Sequence, residues 1–223
     1  MKNTLFAVLS IVIILHACTP TKTIAPPTLT GWDKVPEILT NIKEPAFPDS
    51  IFNILDYGAQ PDTTFDSRIA ILKAINTCNL AGGGKVVIPP GNYFIKGPIV
   101  LKSHVNLHLE EGARLEFSTN PQDYLPLVLT KWEGTECYNY SPFIYSYQCT
   151  DVAVTGKGAI DGNGAAVFNT WKKDEKPGMN RLRQMGNDSV PVYQRVFGEG
   201  YFLRPCMIQF FGCKNVLVDG VQI

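Results

Sequence analysis

Residues Thr150 to Gly164 read Thr-Asp-Val-Ala-Val-Thr-Gly-Lys-Gly-Ala-Ile-Asp-Gly-Asn-Gly, and this stretch decides how the rest of the chain is understood. Apolar side chains alternate at Val152 and Val154, glycines follow at Gly156 and Gly158, Ala159 and Ile160 give a second apolar piece, and Asp161-Gly162 turns the chain again. The pattern spells short strand, bend, short strand, bend. It recurs near the C-terminus as Cys213-Lys-Asn-Val-Leu-Val-Asp-Gly-Val-Gln-Ile223, with Cys213 matched to Cys149, Asn215 to Asp151, and Val216 and Val218 to Val152 and Val154. Val105 to Leu115 is a looser third copy whose glycine, Gly112, is displaced by one residue. Strands this short, separated by tight bends, cannot bury an apolar face alone, so the copies must stack on one another. The expected fold is an all-β solenoid, a right-handed parallel β-helix. Strand periodicity by itself leaves a sandwich of three unrelated strands open as the alternative.

The 223 residues are 45% hydrophobic and carry no net formal charge, so a packed core is within reach and nucleic acid is not the expected partner. Lys2 followed by Leu5 to Leu15, apolar except for Ser10, has the length of an export signal and is too short to span a bilayer comfortably. The segment ends Leu15-His16-Ala17-Cys18, which resembles the lipobox of bacterial lipoproteins although His16 is an unusual occupant. Residues 1–18 are thus read as a lipoprotein signal peptide, with Cys18 the lipidated residue and a membrane the partner. Cleavage near Ala17, leaving a soluble secreted protein, is the alternative. Either way the expected location is outside the cytoplasm, periplasmic or at the cell surface. Residues 19–49 contain six prolines and little apolar periodicity, and are read as a tether. Residues 50–223 are expected to form the β-helix domain. The five remaining cysteines cannot all pair internally, and no spacing among them suggests a metal site.

Within the domain, Phe52 to Ala59 reads as an opening strand and turn. Thr63-Thr-Phe-Asp66 fits a loose capping box for a helix whose apolar face comprises Ile71, Leu72, Ile75 and Cys78 and which ends before Gly82-Gly83-Gly84. Such a helix would cover the open edge of the first coil. Two excursions interrupt the repeats. The first, Ser118 to Ser141, carries Trp132, Tyr138 and Tyr140; the second, Asn163 to Leu203, carries Phe168, Trp171, Tyr193, Tyr201 and a set of basic residues. Insertions on a solenoid gather on one face and often bind ligands. Aromatic faces suit sugar rings and guanidinium groups suit carboxylates, which makes Trp171 and Arg195 the candidate substrate-binding residues. The competing role for these side chains is to pack the loops onto the solenoid. His104 and His108 read as outward-facing strand residues, and Asp151, Asp161 and Asp219 as turn residues.

Asp56-Tyr-Gly-Ala59, Pro89-Pro-Gly-Asn-Tyr93, Leu107-His-Leu-Glu-Glu-Gly-Ala113, Gly158-Ala-Ile-Asp-Gly-Asn-Gly164, Leu203-Arg-Pro205 and Asn215-Val-Leu-Val-Asp-Gly-Val221 together resemble glycoside hydrolase family 28, the polygalacturonases, over most of Phe52 to Ile223. The resemblance implies a pectin lyase-like β-helix, no cofactor, and inverting hydrolysis of galacturonic-acid-containing pectin, with a pectic polysaccharide or oligogalacturonide as the partner. It also implies catalytic aspartates in Asn-Thr-Asp and Asp-Asp segments, followed by Gly-His-Gly and Arg-Ile-Lys motifs, all downstream of the region matched by Val216 to Ile223. None of these occurs here, so the catalytic residues are expected beyond Ile223, in a longer enzyme of which this chain is the N-terminal part. A pectate lyase-type elimination and a non-catalytic, lipid-anchored glycan-binding β-helix are the other readings. The anchor is directly testable: a radioactive fatty acid labels the wild-type protein and not Cys18→Ala, whereas label retained by the variant refutes lipidation at Cys18.

Overall fold

The computed structural model describes residues 30–223; Cys18 and the segment read as a signal peptide lie outside the described residues. The chain divides into two units, the described part of the first being residues 30–42 and the second residues 43–223. In the described part of the first, a 3-10 turn (Gly31–Lys34) leads into helix α1 (Val35–Asn41), with Pro36 in the first turn, where its missing N–H costs nothing. This helix falls inside the stretch read as a tether.

The second unit opens with β1 (Ile51–Asn53) and a 3-10 turn, then helix α2 (Arg68–Leu80). A first circuit follows as β2 (Gly84–Ile88), β3 (Gly91–Ile95) and β4 (Ile99–Val100). The next circuit comprises β5 (Val105–Leu109), β6 (Ala113–Phe117), an inserted hairpin of β7 (Val128–Trp132) and β8 (Thr135–Asn139), and β9 (Ile144–Tyr147). The third runs through β10 (Thr150–Gly156), β11 (Ala159–Asp161), a long insertion and β12 (Ile208–Phe211), after which β13 (Lys214–Asp219) starts a fourth.

Strands at the same stage of each circuit pair in parallel. They form one sheet ordered β1-β2-β5-β10-β13, a second containing β3, β6 and β11, and a third containing β4, β9 and β12. The expected register is the observed one: Val152 lies opposite Val105 on one side and Val216 on the other, and Val154 opposite Leu107 and Val218. Alternation then sends Val86, Ile88, Leu107, Leu109, Val152, Val154, Leu115 and Ile160 into one continuous core between the sheets.

The point where the chain enters the first sheet, a turn at Gly83 and His104 and the second residue of the strand at Asp151 and Asn215, shows why the repeats tolerate their residues. Gly83, His104, Asp151 and Asn215 occupy successive positions there, all with positive φ, between 52° and 113°. Asn and Asp accept this left-handed conformation more readily than most side chains, and the Asn215 amide donates to the Asp151 carboxylate at 2.9 Å. His104 is thus a turn residue rather than the strand residue expected. His108 does lie on β5, half-buried, with Nδ1 2.8 Å from the Thr155 hydroxyl.

Helix α2 buries Ala70, Ile71, Ala74, Ile75 and Cys78 and packs against β1, β2, β4 and β5. Its start departs from the expected capping box. Asp62 takes the Thr64 N–H and hydroxyl, while Asp66 accepts the N–H groups of Arg68 and, across the coil, Lys96. The helix begins only at Arg68, with the Ser67 carbonyl accepting from Ile71. Asp66 therefore fastens the helix to the end of β3 instead of closing a local box.

Coil-to-coil contact is tightest at Gly156, where φ is +111° and an added Cβ would lie 1.9 Å from the Leu109 carbonyl oxygen. We expect Gly156→Ala to destabilise the protein by more than about 2 kcal/mol in denaturant unfolding, and Gly164→Ala, which meets no atom within 4 Å, by no more than about 0.5 kcal/mol. Equal effects would refute the stacking contact.

Candidate functional site

Both insertions leave the solenoid at the same corner, between a strand of the second sheet and a strand of the third. The first holds a 3-10 turn (Pro121–Tyr124) and the β7–β8 hairpin; the second holds a 3-10 turn (Phe168–Lys173), helix α3 (Lys176–Asn187) and a further 3-10 turn (Val192–Gln194). Trp132, Cys137, Leu182, Phe197 and Leu203 close a small second core between them. The second insertion also extends the hairpin. The Tyr138 N–H donates to the Arg195 carbonyl and the Phe197 N–H to the Tyr138 carbonyl, both at 2.8 Å. Burial pushes the Cys137 thiol up to about 12, with Cys206 adding to the shift, so that thiol is held neutral and unreactive.

The hairpin lies on the outer face of the third sheet. The Tyr145 hydroxyl donates to the Leu129 carbonyl at 2.6 Å, Gln209 donates to the Lys131 carbonyl at 3.4 Å, and Thr130 bonds the Gln209 side chain. Beyond the covered row, Tyr147 and Phe211 are register partners on adjacent coils, their ring centroids 5.8 Å apart and tilted by 32°. Tyr147 is 42% exposed. The Lys131 ammonium stands 5.4 Å from the Phe211 centroid and 3.7 Å from the Glu136 carboxylate. The arrangement offers an apolar aromatic platform for the C–H face of a sugar ring, with a cation beside it for an acidic substituent.

The residues selected from sequence sit elsewhere. Trp171 is half-buried and packed edge-on against Phe168 and Phe202, at 5.1 and 5.8 Å, in a cleft of about 330 Å³ shared with Tyr140 and Glu199. The Arg195 side chain donates to the Val190 carbonyl at 2.7 Å and the Glu136 carbonyl at 3.4 Å, and lines a separate depression with Arg183 and Thr135. The structure does not bring Trp171 and Arg195 into one site. Trp132 and Tyr140 are also buried, because the insertions need their surface for a core. A larger cleft of about 540 Å³ opens between the insertions, lined by Trp132, Phe143, Phe168, Met207 and Arg204. Its charged groups are paired, Arg204 with Glu175 at 3.0 Å and Glu133 with Arg183 at 2.6 Å. Asp161, read as a turn residue, is the last residue of β11, where it accepts the Asn163 N–H at 2.8 Å and pairs with Arg114. Lys131, Tyr147 and Phe211 were not singled out, yet the repeat offset that aligns Asn215 with Asp151 also aligns Phe211 with Tyr147.

Residues 51–110 match the family model described as rhamnogalacturonase A/epimerase, pectate lyase-like. Among solved structures, the chain is similar to a hyperthermoactive exopolygalacturonase from Thermotoga maritima, with 39% identity and a TM-score of 0.80, covering 83% of this chain and 44% of that one. The chain is thus similar in sequence and fold to exopolygalacturonases. Among curated proteins, the exo-poly-alpha-D-galacturonosidase of Dickeya chrysanthemi is 31% identical over 64% of this chain and 23% of its own length. The plasmin and fibronectin-binding protein A of Streptococcus pneumoniae is 31% identical over 78% and 24%, respectively. The chain thus spans less than half the length of each of these proteins.

Proposed function

We propose that residues 43–223 form the first coils of a right-handed parallel β-helix in an enzyme that hydrolyses galacturonic-acid-containing pectin with inversion. The likeness to the Thermotoga maritima enzyme across most of the chain carries this reading. Right-handed crossovers between parallel strands are close to universal and support the assigned hand. In inverting hydrolysis one carboxyl protonates the leaving oxygen and another activates water on the opposite face, the two standing about 6.5–9.5 Å apart. The exo action named for the Thermotoga maritima and Dickeya chrysanthemi proteins is carried over as part of the proposal. So is export as a lipid-anchored protein through Cys18.

The role of the present coils is to bind. A pectic chain laid on the outer face of the third sheet meets Tyr147 and Phe211 with its ring faces and Lys131 with a carboxylate. The similarity to the plasmin and fibronectin-binding protein A of Streptococcus pneumoniae favours one other reading, a glycan- or protein-binding solenoid without catalysis. The full-length gene product incubated with polygalacturonate separates them: hydrolysis releases reducing ends without absorbance from unsaturated uronate. Unsaturated product would indicate a lyase, and binding without cleavage the adhesive reading. Tyr147→Ala should raise KM for oligogalacturonides up to about tenfold, the loss of one aromatic stacking contact, with kcat little changed. An unchanged KM removes the platform from the site.

A further inference from the structure

We infer that Cys149 and Cys213 form a coil-to-coil disulfide, a modification site for small-molecule disulfide oxidants. The two residues occupy the same position of successive repeats, 64 residues apart, and the structure places them in direct contact. The Lys214 N–H donates to the Cys149 carbonyl at 2.9 Å, and the Cys149 N–H points at the Cys213 sulfur at 3.3 Å. The following pair, Asp151 and Asn215, is locked in the same register by its own hydrogen bond. Parallel neighbours in register lie about 4.7–4.9 Å apart, inside the range of about 4.4–6.8 Å between Cα atoms that disulfides span.

The present partners of the sulfurs are weak. Cys149 Sγ lies 3.4 Å from the Tyr147 carbonyl and 3.7 Å from that of Leu101, and Cys213 Sγ lies 3.5 Å from both the carbonyl and the hydroxyl of Ser146. Thiols are poor donors, so a side-chain rotation that joins the sulfurs gives up little. Cys213 is half-buried and Cys149 is 9% exposed, which sets the order of reaction. The Cys213 thiolate attacks a disulfide such as oxidised glutathione, forming a mixed disulfide and expelling one glutathione thiolate. The Cys149 thiolate then attacks the Cys213 sulfur and expels the second. Two cysteine protons leave, and the two electrons reside in two reduced glutathione molecules.

The other cysteines make poorer partners. Cys78 is on the buried face of α2, and Cys137 belongs to the core of the insertions. The consequence of the bond reaches the platform: Tyr147 and Phe211 each lie two residues before a linked cysteine, so the covalent tie pins the coils that hold the two rings together. It also closes the loop containing the whole second insertion.

The test is peptide mapping of the native full-length protein after incubation with oxidised glutathione, alkylation of free thiols and digestion without reduction. The expected product is a single peptide pair linked through Cys149 and Cys213, absent after dithiothreitol and absent in Cys213→Ser. Oxidation should raise the melting temperature of wild type by several degrees and leave both Cys213→Ser and Cys149→Ala unmoved, so one poorly folding variant does not decide the outcome. Recovery of both residues alkylated, glutathione retained on Cys213, or linkage to Cys78, Cys137 or Cys206 would each overturn the inference.

Discussion

The parallel backbone ladder between successive coils is the interaction on which everything else in this structure depends. A strand of two to seven residues has too little surface to be stable alone, but β5 and β10 each satisfy their N–H and C=O groups on both sides. Register follows from the same bonds. Because side chains alternate, a slip of one residue would turn Leu107, Val152 and Val154 from the core to solvent. Glycine is required where coils approach most closely, and polar residues that tolerate left-handed backbone are used where the chain turns into the next strand.

The ladder also explains how insertions as long as those here are accommodated. Since each coil need only return to its place over the previous one, extra chain can leave between two sheets without disturbing the strands. Both excursions use the same corner. They meet there, build a small core of their own, and lay a hairpin over one row of the third sheet while leaving Tyr147 exposed and Phe211 half-buried in the next. The proposed binding surface is therefore a by-product of where the solenoid tolerates insertion, and the rings that line it owe their spacing to strand pairing rather than to a loop conformation.

The repeat was legible in the sequence because it is a local pattern: alternating valines, a glycine bend, and the match of Asn215 to Asp151 are visible without coordinates. The start of α2 was not, because Asp66 bonds Lys96 on a different strand, and no local motif reports a partner thirty residues away. The site was legible only in part. Trp171 and Arg195 have the right chemistry, but two of the Arg195 donors go to the Val190 and Glu136 carbonyls and the two side chains line separate depressions, which composition cannot reveal. Tyr147 and Phe211 lie inside strands, where an aromatic side chain ordinarily marks a core; only the alternation that buries Ile144 and Ser146 shows that these two face outward.

Native-state amide hydrogen exchange tests the stacked, in-register solenoid most directly. The amides of β2, β5 and β10 should exchange together and slowest, through a shared opening of neighbouring coils, while those of α3, held by the smaller core of the insertions, should exchange by separate and easier opening. Exchange of Val152 to Thr155 as fast as that of α3 would contradict the account.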